Sequence, residues 1–124
     1  VTKDDLPRFS FGVMGGDMQA QGHVQVLVNI LDFGMNVQAA GDSARIRHGG
    51  SPTPTGGAAA VDGGTVYLES GFPEATRERL KSLGHKFASD PGGFGGYQGI
   101  WIDWDHGVLH GASDPRKDGA ATGY

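Results

Sequence analysis

Apolar residues alternate with small or polar ones over Arg8–Met14 (RFSFGVM), placing Phe9, Phe11 and Val13 on one side of an extended segment. Period-two alternation marks a strand with one buried face. Gly15 and Gly16 interrupt it, and Asp17–Gly22 reads as a turn leading into a helix. Beyond the turn the period changes. Val24, Leu27, Val28 and Leu31 recur at i, i+3, i+4 and i+7, the spacing of one helix face. Val26, Ile30 and Phe33 widen the apolar surface, while Gln25, Asn29 and Asp32 leave a narrow polar stripe. Such a surface suits a helix pressed on a sheet. Gly34 is placed to end it in a left-handed cap.

A second, short helix is expected over Asn36–Ala44 and a short strand over Arg45–His48. His48–Gly64 (HGGSPTPTGGAAAVDGG) is rich in Gly, Pro, Ser and Thr and reads as a long loop. Loops of that length in a compact domain commonly bind something or stay irregular. Thr65–Glu69 alternates as a strand. Pro73 is expected at the first position of a helix that Gly84 closes, with Thr76, Leu80 and Leu83 inward and Arg77, Arg79 and Lys81 outward. Glu74 and Arg77, and Glu78 and Lys81, stand at pairing distance on such a helix. Pro91–Gly99 (PGGFGGYQG) reads as a second glycine loop. Ile100–Trp104 and Val108–Ala112 come next as two strands joined by a hairpin turn through Asp105, His106 and Gly107. The tail, Ser113–Tyr124, is rich in turn residues. No repeat and no domain boundary are visible. Strands interleaved with two good helices fit a layered α/β or α+β sandwich. A lone chain of this kind leaves sheet edges open, a hint that a partner is missing.

Composition narrows the chemistry. The 124 residues suffice for one core, and 23 of them are glycine without a Gly-X-Y period. There is no cysteine, which excludes a disulfide scaffold, a thiolate metal site and a cysteine nucleophile. The formal net charge is −4 and the ten basic residues are scattered. Nucleic acid, which needs clustered Lys and Arg, is therefore not an expected partner. No apolar run approaches the roughly 20 residues of a bilayer span, so no membrane partner is expected either. The chain begins at Val1 rather than Met, as a processed or partial chain would.

The most informative stretch is Phe11–His23 (FGVMGGDMQAQGH), in which a strand runs into two glycines and then a helix. Without Cβ atoms, Gly15 and Gly16 can turn successive N–H groups toward one point. Three readings fit: a hole for the oxyanion that develops in acyl transfer, a phosphate seat at a helix start, and a tight turn with no ligand, the default from pattern alone. His23 is placed for a general base or, more ordinarily, for donating to a nearby carbonyl. His48, His85, His106 and His110 stand at no metal-ligand spacing. The His106–His110 pair spans a turn and a strand, so no metal site and no cofactor are expected. No serine sits in a nucleophile elbow; Gly12–Gly16 (GVMGG) carries methionine where serine is needed. Thr2 stands after Val1, so its amine is tied up in a peptide and cannot serve as a base. In Ser113-Asp114-Pro115-Arg116, a charge pair or carboxylate cap locking the tail to the body is the preferred reading.

Four stretches together resemble the gamma-glutamyltranspeptidase family. Phe11–Gly16 followed by His23–Met35 (HVQVLVNILDFGM) is similar to the family's strand, Pro/Met-Gly-Gly turn and helix. Asn36–His48 (NVQAAGDSARIRH) resembles the segment after it, with a departure at Ser43-Ala44-Arg45-Ile46. Val66–His85 resembles the family's strand–helix unit, with its Gly-Phe-Pro entry and Leu-Gly-His exit. Gly107–Tyr124, with Ala-Ser-Asp-Pro-Arg and the terminal Gly-Tyr, resembles its C-terminus.

The resemblance implies an α+β fold: part of an αββα sandwich of the N-terminal-nucleophile hydrolase type, incomplete in this chain. Residues 1–124 would be the C-terminal portion of the small subunit, a single-domain fragment. It implies gamma-glutamyl transfer or hydrolysis through an acyl-enzyme on a threonine released by self-cleavage, with glutathione-like donors and water or an amine as acceptor. Gly15 and Gly16 are the implied oxyanion-hole positions. The threonine and the glutamate-binding Asp, Ser and Arg would lie upstream of Val1, so the isolated chain is expected to be inactive. Its partners would be the upstream part of the small subunit, the large subunit and a gamma-glutamyl small molecule. Asp17–His23 (DMQAQGH) suggests a branch set apart from the best-known transpeptidases. An acylase acting on other amides, or a non-catalytic binding or assembly protein on the same fold, are the alternative readings.

Overall fold

The computed structural model describes residues 1–51, 56–58, 60–89 and 92–123. In chain order the elements are β1 (Thr2–Lys3), β2 (Leu6–Pro7), β3 (Phe9–Met14), α1 (Met18–Leu31), α2 (Val37–Asp42), β4 (Ile46–Gly49), β5 (Thr65–Leu68), α3 (Glu74–Ser82), β6 (Gly96–Asp103) and β7 (Val108–Ser113). They divide into two compact units, Val1–Ser43 with Gly95–Tyr124, and Ala44–Phe94.

The first unit is built on an antiparallel three-stranded sheet in the order β3-β6-β7. Phe9 lies opposite Trp101 and Val13 opposite Tyr97, while Gly99 faces Ala112 across the next pair. One sheet face therefore gathers Phe9, Phe11, Val13, Tyr97, Trp101 and Ala112. Val26 of α1 and Val37 and Ala40 of α2 join Phe9, Val13, Tyr97 and Ala112 in one buried cluster, with Phe11 and Trp101 packed against it. The Phe9 and Phe11 rings stack at 4.5 Å. The opposite face carries Ser10, Gly12, Met14, Gln98, Ile100, Leu109 and Gly111. The tail residues Lys117, Gly119 and Ala121 lie against Gly96, Gln98 and Gly111 on this face, yet Met14, Ile100 and Leu109 stay 51%, 46% and 67% exposed.

Several expectations need correction here. The helix begins at Met18, so Asp17–Gly22 is not an extended turn. Its buried positions are Met18, Gly22 and Val26, whereas Val24, Leu31 and Phe33 are exposed. The stripe is thus divided: Val24 and Leu31 point outward, while Leu27 packs against the buried cluster. A Cβ on Gly22 would lie 2.6 Å from Val13 Cγ1, so glycine there lets the helix seat closely on β3. Gly34 does close the helix region, with φ 66° and Met35 N–H donating to the Asn29 carbonyl.

Gly96–Gly99 belongs to β6 and not to a loop. The glycines are strand residues because the fully buried Tyr97 ring lies where Cβ atoms of Gly41 and Gly99 would stand. Pro91, where that loop was expected to begin, lies outside the described residues. The hairpin of β1 and β2 was not anticipated. Asp4 and Asp5 turn it with φ of 54° and 61°, the backbone of a type I′ turn.

In the second unit β4 pairs antiparallel with β5, His48 opposite Val66. The Arg47 guanidinium stacks 4.3 Å from the centre of the Tyr67 ring. Of the long loop, 52–55 and 59 lie outside the described residues. His48 ties Ser51 and Gly63 together across that loop: its Nδ1 is 3.0 Å from Ser51 Oγ and its Nε2 2.7 Å from the Gly63 carbonyl. Helix α3 starts one residue later than expected, with Pro73 at the cap. It ends as foreseen: Gly84, φ 93°, donates to the Lys81 carbonyl and His85 to that of Leu80. The Glu74–Arg77 and Glu78–Lys81 pairs form at 3.9 and 2.6 Å. The expected inner stripe does not: Thr76 and Leu83 are exposed, and Arg77 is half-buried, donating to the Glu69 and Phe72 carbonyls. Carbonyls before a helix are good guanidinium acceptors, and helical periodicity cannot reveal them.

Candidate functional site

The bend between β3 and α1 is made by Met14, Gly15, Gly16 and Asp17. Gly15 has φ 126° and Gly16 φ 57°, conformations an L side chain rarely adopts. Gly95 packs beneath: its Cα would lie 3.0 Å from a Cβ on Gly15, and its own φ is 78°. Both Gly15 and Gly16 are exposed.

Their carbonyls are committed to the helix. Met18 N–H donates to the Gly15 carbonyl at 3.1 Å and Gln19 N–H to that of Gly16 at 3.0 Å. No peptide among the described residues is cis. In a planar trans peptide the N–H points opposite to the C=O. Turning the Gly15 carbonyl into the helix therefore turns the Gly16 N–H away from it, and the Gly16 carbonyl does the same for Asp17. Among the described residues the N–H groups of Gly15, Gly16 and Asp17 donate to no acceptor. Asp17 caps the helix by position only; its carboxylate makes no capping hydrogen bond. The bend thus offers outward main-chain donors at the positive end of a 14-residue helix. The Asp17 N–H was not singled out from sequence, because the signal lies in a carbonyl's direction and not in a residue type.

His23 does not donate to a carbonyl. Its Nε2 accepts the Val13 N–H at 2.9 Å. The ring meets the Phe11 ring edge-on, centroids 5.2 Å apart. An N–H donor requires a lone pair on Nε2, so the neutral ring carries its proton on Nδ1. That lone pair is occupied and cannot take a substrate proton in this geometry. Thr2 lies in β1 opposite Pro7.

The Asp114–Arg116 lock forms as read. Asp114 is fully buried; Oδ2 accepts from Tyr97 N–H at 2.8 Å, and Oδ1 accepts from Arg116 N–H at 2.8 Å and Nη1 at 3.1 Å. Arg116 also reaches the Gly41 and Ser43 carbonyls at 3.0 and 2.9 Å, bracing the end of α2. Because Tyr97 faces Val13, this lock fixes β6 directly behind the end of β3.

At the far end of the sheet Asp103 Oδ2 lies 2.8 Å from His106 Nδ1 and 3.8 Å from His110 Nε2. Hydrogen bonds from the His106 side chain and main chain hold the Asp103 carboxyl below its ordinary range. Among the described residues no cluster of three or more His, Cys, Asp or Glu could hold a metal ion.

A family model described as Gamma-glutamyltranspeptidase matches residues 1–124. The chain is 29% identical over 121 residues to a glutathione hydrolase proenzyme of Bacillus subtilis (strain 168), covering 98% of this chain and 19% of that protein. It is 31% identical over 117 residues to the Acylase ACY 1 proenzyme of Pseudomonas sp. (strain SE83), covering 94% and 18%. Among solved structures it is similar to a gamma-glutamyltranspeptidase mutant, W525D, from Pseudomonas nitroreducens, at TM-score 0.81 and 25% identity, covering 100% of this chain and 59% of that one. It is also similar to a cephalosporin acylase from Bacillus halodurans, at TM-score 0.78 and 41% identity, covering 99% and 22%. The chain spans about a fifth of the length of the curated relatives it matches.

Proposed function

The chain belongs to the gamma-glutamyltranspeptidase family, and on that premise we propose that it is the C-terminal portion of the small subunit of an amide-cleaving acyl transferase or hydrolase. Its fold is α+β and is part of an N-terminal-nucleophile hydrolase domain. In the complete enzyme an upstream threonine attacks the amide carbonyl through Oγ. The carbonyl oxygen becomes negative, the amine leaves with a proton, and an acyl-enzyme remains. Water or a second amine then attacks the ester carbonyl and releases the threonine. The role of this chain is to receive the negative oxygen at the Gly15–Gly16 bend. The upstream part of the small subunit and the large subunit complete the site, and the isolated chain is inactive.

The observation that carries this reading is the orientation of the bend. The Gly15 and Gly16 carbonyls are consumed by the first turn of α1, leaving the adjoining N–H groups outward and without acceptors among the described residues. Unspent N–H groups occur at any helix start; here two glycines at φ 126° and 57° leave them unscreened by a side chain. The proenzyme relatives, of which the chain spans about a fifth, support the need for the remaining segments.

In the full-length protein, Gly16→Val should lower kcat about 100-fold with KM nearly unchanged. Valine keeps its N–H but is strained at φ 57°, so the donor is displaced; a missing oxyanion donor is worth about 3 kcal/mol, felt in the transition state. Steady-state kinetics on a chromogenic amide measures it; unchanged turnover ends the oxyanion assignment.

A second reading concerns the acyl group. The 41% identity to a cephalosporin acylase favours an acylase branch acting on amides other than gamma-glutamyl ones. Comparing kcat/KM for a gamma-glutamyl anilide and for an acyl anilide lacking the amino-acid head separates the two.

A further inference from the structure

We infer that His23 is a positioning residue for the Gly15–Gly16 bend, acting as a hydrogen-bond acceptor rather than as an acid, base or ligand; this rests on the oxyanion reading above.

The alternation of β3 decides where its polar groups go. Ser10, Gly12 and Met14 face Ile100, Gln98 and Gly96, and the Arg8 carbonyl accepts from Ile102 N–H at 2.8 Å on the same side. Even-numbered residues thus carry the ladder to β6. Odd-numbered residues turn their N–H and C=O to the free edge of the sheet. At that edge Phe9 is paired with Val1, by the Val1 ammonium to the Phe9 carbonyl at 2.8 Å and Phe9 N–H to the Val1 carbonyl at 3.2 Å. Among the described residues no strand lies beside Val13 on that edge. Its N–H goes to His23 Nε2 instead, at 2.9 Å.

This bond brackets the bend. It joins the residue before Met14 to the second turn of α1, and between the two lie only the bend and the helix start. Gly22 seats against Val13 Cγ1 beside it, and the Phe11 ring holds the imidazole edge-on. The strand end and the helix start are therefore tied together on one side by His23, while Gly95 supports Gly15 from below. Two glycines in sequence are the most pliable backbone a chain can have. A donor on such a bend stabilises an oxyanion only if it is held in place before the charge appears. Without the His23 acceptor the strand end is free to shift. Displacing a catalytic donor by about 1 Å costs on the order of 100-fold in rate.

Two variants of the full-length protein test this. His23→Leu keeps the bulk and removes the acceptor; His23→Gln restores an acceptor oxygen without an imidazole. The expected result is a fall in kcat of about tenfold or more for His23→Leu, with KM changed less than about twofold, and recovery of most of the loss in His23→Gln. Rates are taken per mole of self-cleaved enzyme, counted by gel, so that poor maturation does not pass for poor chemistry. If kcat per cleaved enzyme is unchanged in His23→Leu, or if His23→Gln is as slow as His23→Leu, the inference is wrong. Should His23→Leu fail to fold, nitrogen-15 spectra of the histidine-labelled wild-type enzyme decide: an Nε2 that carries a proton overturns the assignment, and one that accepts supports it. The Gly16→Val kinetics stand apart from these measurements. A slow Gly16→Val beside a normal His23→Leu removes the His23 role and leaves the oxyanion reading intact.

Discussion

At the scale of single residues, the sheet is held by one buried charge. Asp114 has no exposure and places both oxygens on specific donors: Tyr97 N–H on one, the Arg116 main chain and guanidinium on the other. A buried carboxylate is costly unless paired, and once paired its partners depend on it. Asp114→Asn leaves the Arg116 guanidinium, only 18% exposed, without its counter-charge. The full-length protein should lose about 3 kcal/mol, read as a lower urea midpoint with unchanged slope. Its substrate KM should stay the same if the bend keeps its shape. The Ser-Asp-Pro-Arg lock was legible in sequence because partners two residues apart across a proline have few other places to go. The role of Gly41 and Gly99 was not legible. Their small size matters only because Tyr97, on another element or two residues away, occupies the space a Cβ would need.

At the scale of elements, termination signals were read more reliably than faces. Asn36 caps α2, its side chain accepting from Ala39 N–H at 2.8 Å, and Gly84 closes α3. Both are local devices fixed by two or three residues. Gly84→Ala forces an L residue to φ 93° and should cost about 1 kcal/mol, measured as a fall in thermal midpoint of the full-length protein. The inward face of α1 was misread for a physical reason. Apolar residues surround most of this helix, so periodicity leaves the choice of face open, and Gly22, a residue with no hydrophobic signal, marks the closest approach to β3. The same holds at the free end of β7. Gln38 of α2 accepts from Ser113 N–H at 3.1 Å and donates to its carbonyl at 2.8 Å, where no further strand lies among the described residues. Side-chain caps on strand edges have no sequence period.

At the scale of the whole molecule, one sheet face packs on the buried cluster, and the other meets the tail residues Lys117, Gly119 and Ala121. Met14, Ile100 and Leu109 remain about half exposed or more on the other face. An α/β layer of this kind is stable when both faces are buried. The 124-residue chain expressed alone should therefore bind an apolar fluorescent dye strongly and show no amide turnover. Co-expression with the upstream segment of its gene should abolish dye binding and restore turnover together. Activity in the lone chain, or dye binding that persists in the assembled enzyme, would contradict the layered arrangement. The outward stripe of α1, with Val24 and Leu31 60% and 63% exposed, adds a second apolar surface to the isolated chain.

By itself the sequence determined β3, β4, β5 and β7 in outline, the glycine closures of α1 and α3, the tail lock and the family, because each depends on neighbours along the chain or on a few residues in fixed order. It also located the paired glycines. Tertiary structure alone decided which face of α1 turns inward, that Gly96–Gly99 is a strand, and that the His23 lone pair belongs to Val13. These depend on where distant segments meet. Packing and hydrogen-bond partners are properties of space, and a one-dimensional pattern records them only when the chain brings the partners together locally.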